Sequence, residues 1–286
     1  MFHDLKISRP GLWFPTIWIY LVPFDIESCF WQKPLFWLGL LFVTFPLNYL
    51  VYGLNDYNDF KADEFNKRKG NYLFGAKSTK AQLAKVPKRT FYIITPFVIC
   101  FTIFSGWKIL LLLIFMVIIN MIYNFNPFRI KERPPFEIFI QIGYVVTALF
   151  SVQLNELDML PLETLLYLTL FAFQAHIAGE IMDIEPDVKA NKKTTATIIG
   201  RKNSKILMLL LLLIETYILA FWFEDYVLSG FLGMFSIWLI LDIFIFFKNK
   251  NYTVKQMKLF GLAMNISALL SMIWILYSGN LLTPLL

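Results

Sequence analysis

The chain has 286 residues, 58% hydrophobic and 18% aromatic, with a mean hydropathy of +0.60, which excludes an ordinary soluble domain and predicts a polytopic membrane protein. The formal net charge of +6 sits in basic clusters between apolar runs. Such clusters are topology signals and contacts for anionic lipid headgroups, so no nucleic-acid partner is implied. Two cysteines, Cys29 and Cys100, with no Cys/His cluster, exclude a disulfide framework and a zinc site.

About 20 apolar residues cross a bilayer as a helix, and on that scale the sequence predicts nine spans. In chain order they cover residues 11–29, 34–54, 89–105, 108–124, 135–152, 161–182, 205–223, 227–247 and 257–278. The first is broken by Pro15 and Pro23, lacks a small-residue cleavage site, and is read as a retained span. The third and fourth are separated only by Ser105, Gly106 and Trp107. Of the 26 Lys and Arg residues, 24 fall in the segments 1–10, 55–89, 125–134, 183–205 and 248–258, leaving only Lys33 and Lys108. The opposite loops carry Asp25, Glu27, Glu156, Asp158, Glu163, Glu224 and Asp225. That asymmetry places the N-terminus in the cytoplasm and the C-terminus outside.

Span two ends in NDYNDFKAD, Asn55 to Asp63, and span six ends in EIMDIEPD, Glu180 to Asp187. Asp56, Asp59 and Asp63 follow i, i+3, i+7 spacing and so share one face of an ideal helix; Glu180, Asp183 and Asp187 repeat it. Carboxylates crowded twice at one side of a membrane protein need a compensating cation, and the expected site holds a divalent metal and a diphosphate. Magnesium takes a few carboxylate oxygens together with water and phosphate oxygens, and Asn55 adds an amide oxygen. The four-span offset between the motifs predicts a single membrane domain over residues 1–286. It consists of two parallel four-helix repeats, about 11–124 and 135–247, plus a ninth helix, about 257–278. Pro186 is expected to end or kink the second motif's helix.

Other polar segments fall on the same side. In YNFNPFRIKERP, Arg129, Lys131 and Arg133 alternate in a short loop on the same side as the acids, with Tyr123 next to this loop. A positive-inside loop accounts for the charge, and cations beside a metal site would also neutralise a leaving diphosphate. Lys189, Lys192 and Lys193 follow the second motif, in a loop that reads equally as phosphate-facing or merely basic. The long polar segment 65–88 is expected to cap the site with a short interfacial helix. Glu215 and Asp242 are intramembrane acids, and His176 lies four residues before Glu180 on the same helical face.

At these residues the sequence resembles the UbiA superfamily of intramembrane prenyltransferases. Asn55, Asp56, Asp59 and Asp63 match the family's first motif, and Asp183 and Asp187 its second. SRPGLWFPTIWIYLV, YNFNPFRIKERP and DIEPDVKANKKTTATIIG look like the branch of lycopene elongases of C50 carotenoid synthesis, although members often carry Gly where Asn191 stands. The family pattern has no acid at Glu180. The resemblance implies an all-α, nine-helix integral membrane bundle with a central cavity, a cytoplasmic cap and lateral access for lipid, in a bacterial plasma membrane. It implies Mg2+ held by Asn55, Asp56, Asp59, Asp63, Asp183 and Asp187. A prenyl diphosphate is bound with help from Asn55, Arg129, Lys131 and Lys189, and Asp56, Asp59, Asp183 and Tyr123 take part in catalysis. A hydrophobic acceptor, lycopene or a related polyene, comes from the bilayer. An aromatic quinone precursor is the alternative acceptor and would need a cationic or polar group at the cavity mouth, for which Arg9 is the candidate. A terpene cyclase and a membrane transporter are further alternatives, the transporter requiring acids near the bilayer midplane.

Overall fold

The computed structural model describes residues 2–285, and these form an all-helical bundle with no strand among them. The chain opens with α1 (Phe2–Ile7) and α2 (Phe14–Leu21), followed by the long α3 (Pro34–Asn58) and the short α4 (Phe60–Glu64) and α5 (Lys80–Leu83). α6 (Val86–Asn124) leads through α7 (Phe136–Phe139) to α8 (Val146–Asn155). The remaining helices are α9 (Leu162–Lys189), α10 (Thr195–Phe221), α11 (Tyr226–Leu241) and α12 (Val254–Ser278).

Seven stretches among the described residues are long and apolar enough to cross a membrane: Pro34–Asn58, Lys80–Asn124, Phe136–Asn155, Leu162–Lys189, Thr195–Phe221, Tyr226–Phe246 and Val254–Ser278. The difference from the nine predicted spans lies at two places. Over residues 11–29 the regular helix shrinks to the eight residues of α2, bounded by tight turns at Pro10–Leu12 and Ile26–Ser28, because prolines lack the backbone donor that would extend it. Residues 89–105 and 108–124 lie in one 39-residue element, but Gly106 breaks it with φ 77° and ψ −171°. Only glycine occupies that region freely. A Cβ there would meet nothing within 4 Å, so the requirement is conformational and not steric. The segments on either side of this break are each about 27–30 Å long at 1.5 Å per residue, close to one hydrocarbon thickness.

α3 packs on α6, α9 on α10, and α10 on α11, while α12 returns to α2, where Trp18 Nε1 donates to Ser271 Oγ at 3.0 Å. One half of the bundle is filled by aromatic rings. Phe24 meets Phe36 edge-on at 5.0 Å, Phe42 meets Phe101 at 5.6 Å, and Phe101 meets Phe150 at 5.3 Å. Buried polar groups there bond one another locally: Tyr20 Oη donates to Phe36 O at 2.9 Å, and Asn155 Nδ2 donates to Tyr20 Oη at 3.2 Å, leaving Asn155 Oδ1 without a partner. This packing leaves the C-terminal ends of α3 and α9 and the start of α10 to gather the charged residues.

Candidate active site

The two acidic motifs arrive on differently shaped backbones. α3 ends at Asn58, and Asp59 interrupts the helix at φ −102° and ψ 16° before α4 resumes. The first motif is therefore not on one ideal helix, although Asp59 N–H still donates to Asn55 O and Asp63 N–H to Asp59 O, both at 2.9 Å. The second motif lies wholly within α9, which continues through Pro186 to Lys189. Pro186 does not end the helix: it stands in the last turn, where few backbone bonds remain to be lost.

The carboxylates of both motifs meet at this end of the bundle, interleaved with cations. Lys192 Nζ lies 3.2 Å from Asp59 Oδ2 and 3.6 Å from Asp187 Oδ1, bridging the motifs directly. Lys69 Nζ is shared by Asp56 (2.7 Å) and Asp63 (2.5 Å). Arg9 donates to the same Asp56 oxygen, Oδ1, at 2.6 Å while stacking over the Tyr52 ring at 4.5 Å. Lys131, fully buried, reaches Asp59 Oδ1 at 2.5 Å and donates to Asn55 Oδ1 at 3.1 Å and Asn124 Oδ1 at 3.2 Å. Its three ammonium donors thus have three acceptors. Arg129, left-handed at φ 41°, pairs with Glu132 at 2.6 Å and lies 3.7 Å from Asp59. Asp183 is held by Arg68 and by Asn66 Nδ2 at 3.0 Å, and its side chain is 32% exposed, against 2% for Asp56.

These pairings set the local electrostatics. Burial alone would raise the Asp59 carboxyl, but Lys192 and Lys131 outweigh it and hold the group well below the usual carboxylate range. Burial lowers Lys131 to about 8 against the pull of Asp59. Asp63 goes the other way: burial and neighbouring Asp56 raise it to about 7 despite Lys69.

Of the residues expected from sequence, Asn55, Asp56, Asp59, Asp63, Asp183, Asp187, Arg129 and Lys131 are brought to this cluster, with Tyr123 beside it. Lys189 is not. It pairs with Glu185 at 2.9 Å on an exposed helix surface, and Lys192 takes the position expected of it. The turn that carries Lys192 inward depends on Asn191 at φ 55°, a left-handed position that suits glycine or asparagine. Glu180 also leaves the acidic set. Its Oε2 accepts from Ala196 N–H at 3.0 Å, helping to hold the first turn of α10, where Glu137 accepts from Thr195 N–H and Oγ1 at 2.6 Å. Arg9, Arg68 and Lys69 entered no expected diphosphate or metal set. The only sequence signal for the last two was the basic run after the first motif, and their loop reaches this end through Arg68 and Lys69.

The donor chemistry suits a hard divalent cation. It comprises five carboxylates and the Asn55 amide oxygen, and Asp56 Oδ2 is buried without a hydrogen-bond partner. Among the described residues no three of the His, Cys, Asp and Glu side chains converge on one metal position. The carboxylates stand instead as pairs, Asp56 with Asp63 and Asp59 with Asp187, each pair centred on a lysine ammonium. Magnesium needs only one or two carboxylates when phosphate and water complete its shell, so the pairs fit it.

The UbiA prenyltransferase family model matches residues 12–269, spanning both motifs and every membrane-length helix except the end of α12. The chain belongs to the UbiA prenyltransferase family. It is a prenyltransferase and an integral, multi-pass membrane protein, which removes the transporter alternative. Among its relatives, the lycopene elongase/hydratase of Corynebacterium glutamicum is 26% identical over 224 residues, covering 76% of each chain. That of Haloarcula japonica is 24% identical over 225 residues, covering 76% of this chain and 74% of the relative. Among solved structures, a UbiA homolog from Archaeoglobus fulgidus bound to DMAPP and Mg2+ superposes with a TM-score of 0.70 at 16% identity, covering 96% of this chain and all of that one. The same homolog bound to GPP and Mg2+ gives 0.68 at 16% identity, covering 95% and 99%. These superpositions establish the UbiA fold for this prenyltransferase.

Proposed function

We propose that this UbiA prenyltransferase moves the prenyl group of a short allylic diphosphate, with Mg2+, onto a polyene acceptor of the lycopene type drawn from the bilayer. The observation that carries the reading is the single cluster in which both aspartate motifs interlock with Arg9, Arg68, Lys69, Arg129, Lys131 and Lys192. Asn55, Asp56, Asp59, Asp63, Asp183 and Asp187 would hold Mg2+, which when bound neutralises and polarises the diphosphate. Arg68, Arg129, Lys131 and Lys192 bind phosphate oxygens and stabilise the charge that develops as the carbon–oxygen bond breaks. Tyr123, just inward of the cluster, faces the allylic group. The ligands of the Archaeoglobus fulgidus homolog, DMAPP and GPP with Mg2+, support this donor class.

The acceptor follows from Arg9. An aromatic acid would need a free cation at the cavity mouth, whereas the Arg9 guanidinium is engaged by Asp56 and stacked on Tyr52. With that charge paired to buried Asp56 and only Nε left without a partner, an apolar polyene is the better match, as the names of the Corynebacterium and Haloarcula relatives also suggest. The seven apolar stretches, with α6 divided at Gly106 and α2 completing the first crossing, support nine crossings in two four-helix repeats plus one. The basic clusters support a cytoplasmic N-terminus and an outside C-terminus. Lipid extracts from a lycopene-making host expressing the chain test the reading. It expects polyenes heavier by one or two isoprene units, and transfer only to an aromatic acid by the purified enzyme would overturn it.

A further inference from the structure

Attack of an acceptor alkene on the allylic carbon leaves a tertiary carbocation on the acceptor. Whether that cation is quenched by losing a neighbouring C–H proton or by adding water, one proton is released, and it needs an acceptor inside a dry bundle. The acids of the two motifs are already committed to cations at the mouth of the site. Deeper along α9 stands a pair with no assigned task. His176 Nε2 lies 3.1 Å from Glu180 Oε1, both side chains are largely buried, and the contact is not aligned as a hydrogen bond, so neither atom has a hydrogen-bond partner. The Glu180 carboxyl is fixed from its other side by Ala196 N–H.

Position along the helix favours this pair. His176, Glu180 and Asp183 share one face of the continuous α9, which puts His176 about 10 Å inward of Asp183. A prenyl chain anchored by its diphosphate at the motifs would run inward past these side chains. The imidazole meets the Tyr123 ring edge-on, centroids 6.2 Å apart, beside the place where the allylic group is expected. Glu215, a buried acid with neither oxygen hydrogen-bonded, is excluded by distance. It lies near Tyr167, and Tyr167 is 16 residues from Asp183, about 24 Å along α9.

Resting on the proposed prenyl transfer, we propose that His176, backed by Glu180, is the catalytic base that takes the proton released when the acceptor cation is quenched. The π pair of the acceptor alkene forms the new C–C bond as the C–O pair leaves with diphosphate. If a C–H bond then breaks, its pair becomes the new alkene; if water adds, its O–H pair stays on the product oxygen. In either case the proton moves to His176, and the Glu180 carboxylate stabilises the imidazolium. Tyr123, Tyr144, Glu137, Asp59, Asp187 and Lys192 are ionisable groups near the pair or near Tyr123; Glu137 is held at the start of α10, and Asp59, Asp187 and Lys192 bind one another at the cluster.

The test uses the full-length enzyme in lycopene-containing vesicles with Mg2+ and radiolabelled dimethylallyl diphosphate, scoring diphosphate release and prenylated lycopene separately. His176→Gln is expected to lower prenylated product about 100-fold, the usual scale of a lost general base. Diphosphate release continues at a reduced rate: the unquenched acceptor cation reverts by C–C cleavage, water captures the allylic cation and gives up a proton to solvent, and the label appears as free prenyl alcohol. Added imidazole should restore product to His176→Ala, a rescue that a merely structural role would not show, and Glu180→Gln should shift the same ratio less far. An unchanged ratio of product to diphosphate in His176→Gln overturns the proposal. So does parallel loss of both signals without imidazole rescue, which would place His176 before ionisation. Failure of the wild-type enzyme to prenylate lycopene would instead remove the acceptor reading.

Discussion

The two aspartate motifs look alike as spacings and differ as structures. The first bends at Asp59, buries Asp56 and Asp59, and draws cations from four segments: Arg9 near the N-terminus, Lys69 from the capping loop, Lys131 and Arg129 from the loop after α6, and Lys192 after α9. The second lies on the unbroken α9, and Asp183 is its open member, held by one loop through Arg68 and Asn66. The difference separates two tasks. The first motif anchors the charged end of the bundle, and under the proposed function it also serves the site, while Asp183 is the carboxylate open to a ligand.

Replacing either half should stop catalysis, and stability should tell them apart. Asp59→Ala and Asp183→Ala should each lower prenyl transfer by at least about 100-fold, the loss typical of a missing electrostatic contact to a reacting group. Asp59→Ala also strands Lys131 and Lys192, and leaving buried charge uncompensated costs about 3–5 kcal/mol. A thermal melt in detergent should therefore drop clearly for Asp59→Ala and little for Asp183→Ala; equal drops would dissolve the distinction. Chelating divalent ions should abolish transfer by the wild-type enzyme, with recovery on adding Mg2+; full activity in chelator would show that the carboxylate pairs serve only the lysines.

The cations sharpen the comparison at smaller scale. Lys192→Ala removes the one side chain that bridges the motifs, and turnover should fall about 10-fold to 100-fold, in the range of a lost charge-assisted contact. Arg68→Ala should raise the KM for the diphosphate with a smaller loss of kcat, because Arg68 restrains only the open carboxylate. Lys189→Ala should change turnover less than about twofold, since an exposed i, i+4 pair contributes only a few tenths of a kcal/mol. A larger effect in Lys189→Ala than in Lys192→Ala, measured in the same vesicle assay, would reverse the assignment.

The acidic motifs and most of their basic neighbours were legible because charge stands out against an apolar background, and Arg129 and Lys131 were legible because a short loop holds them close to the motif side. Arg68 and Lys69 were not. Their roles depend on a loop folding back so that Arg68 meets a residue 115 positions away, and no local spacing encodes that return. Choosing Lys192 over Lys189 likewise needed the left-handed turn at Asn191.

By itself the sequence determined the membrane class, the apolar stretches, the two motifs and the family, because hydropathy, charge and motif spacing are properties of short segments. Only the tertiary structure decided that Asp59 bends the first motif, that Lys192 ties the halves together, and that Glu180 turns from the acids toward α10. Each of those outcomes is set by which distant donor reaches a buried carboxylate. Burial makes an unpaired charge so costly that the packing of the whole bundle, and not the spacing along one helix, selects the partner.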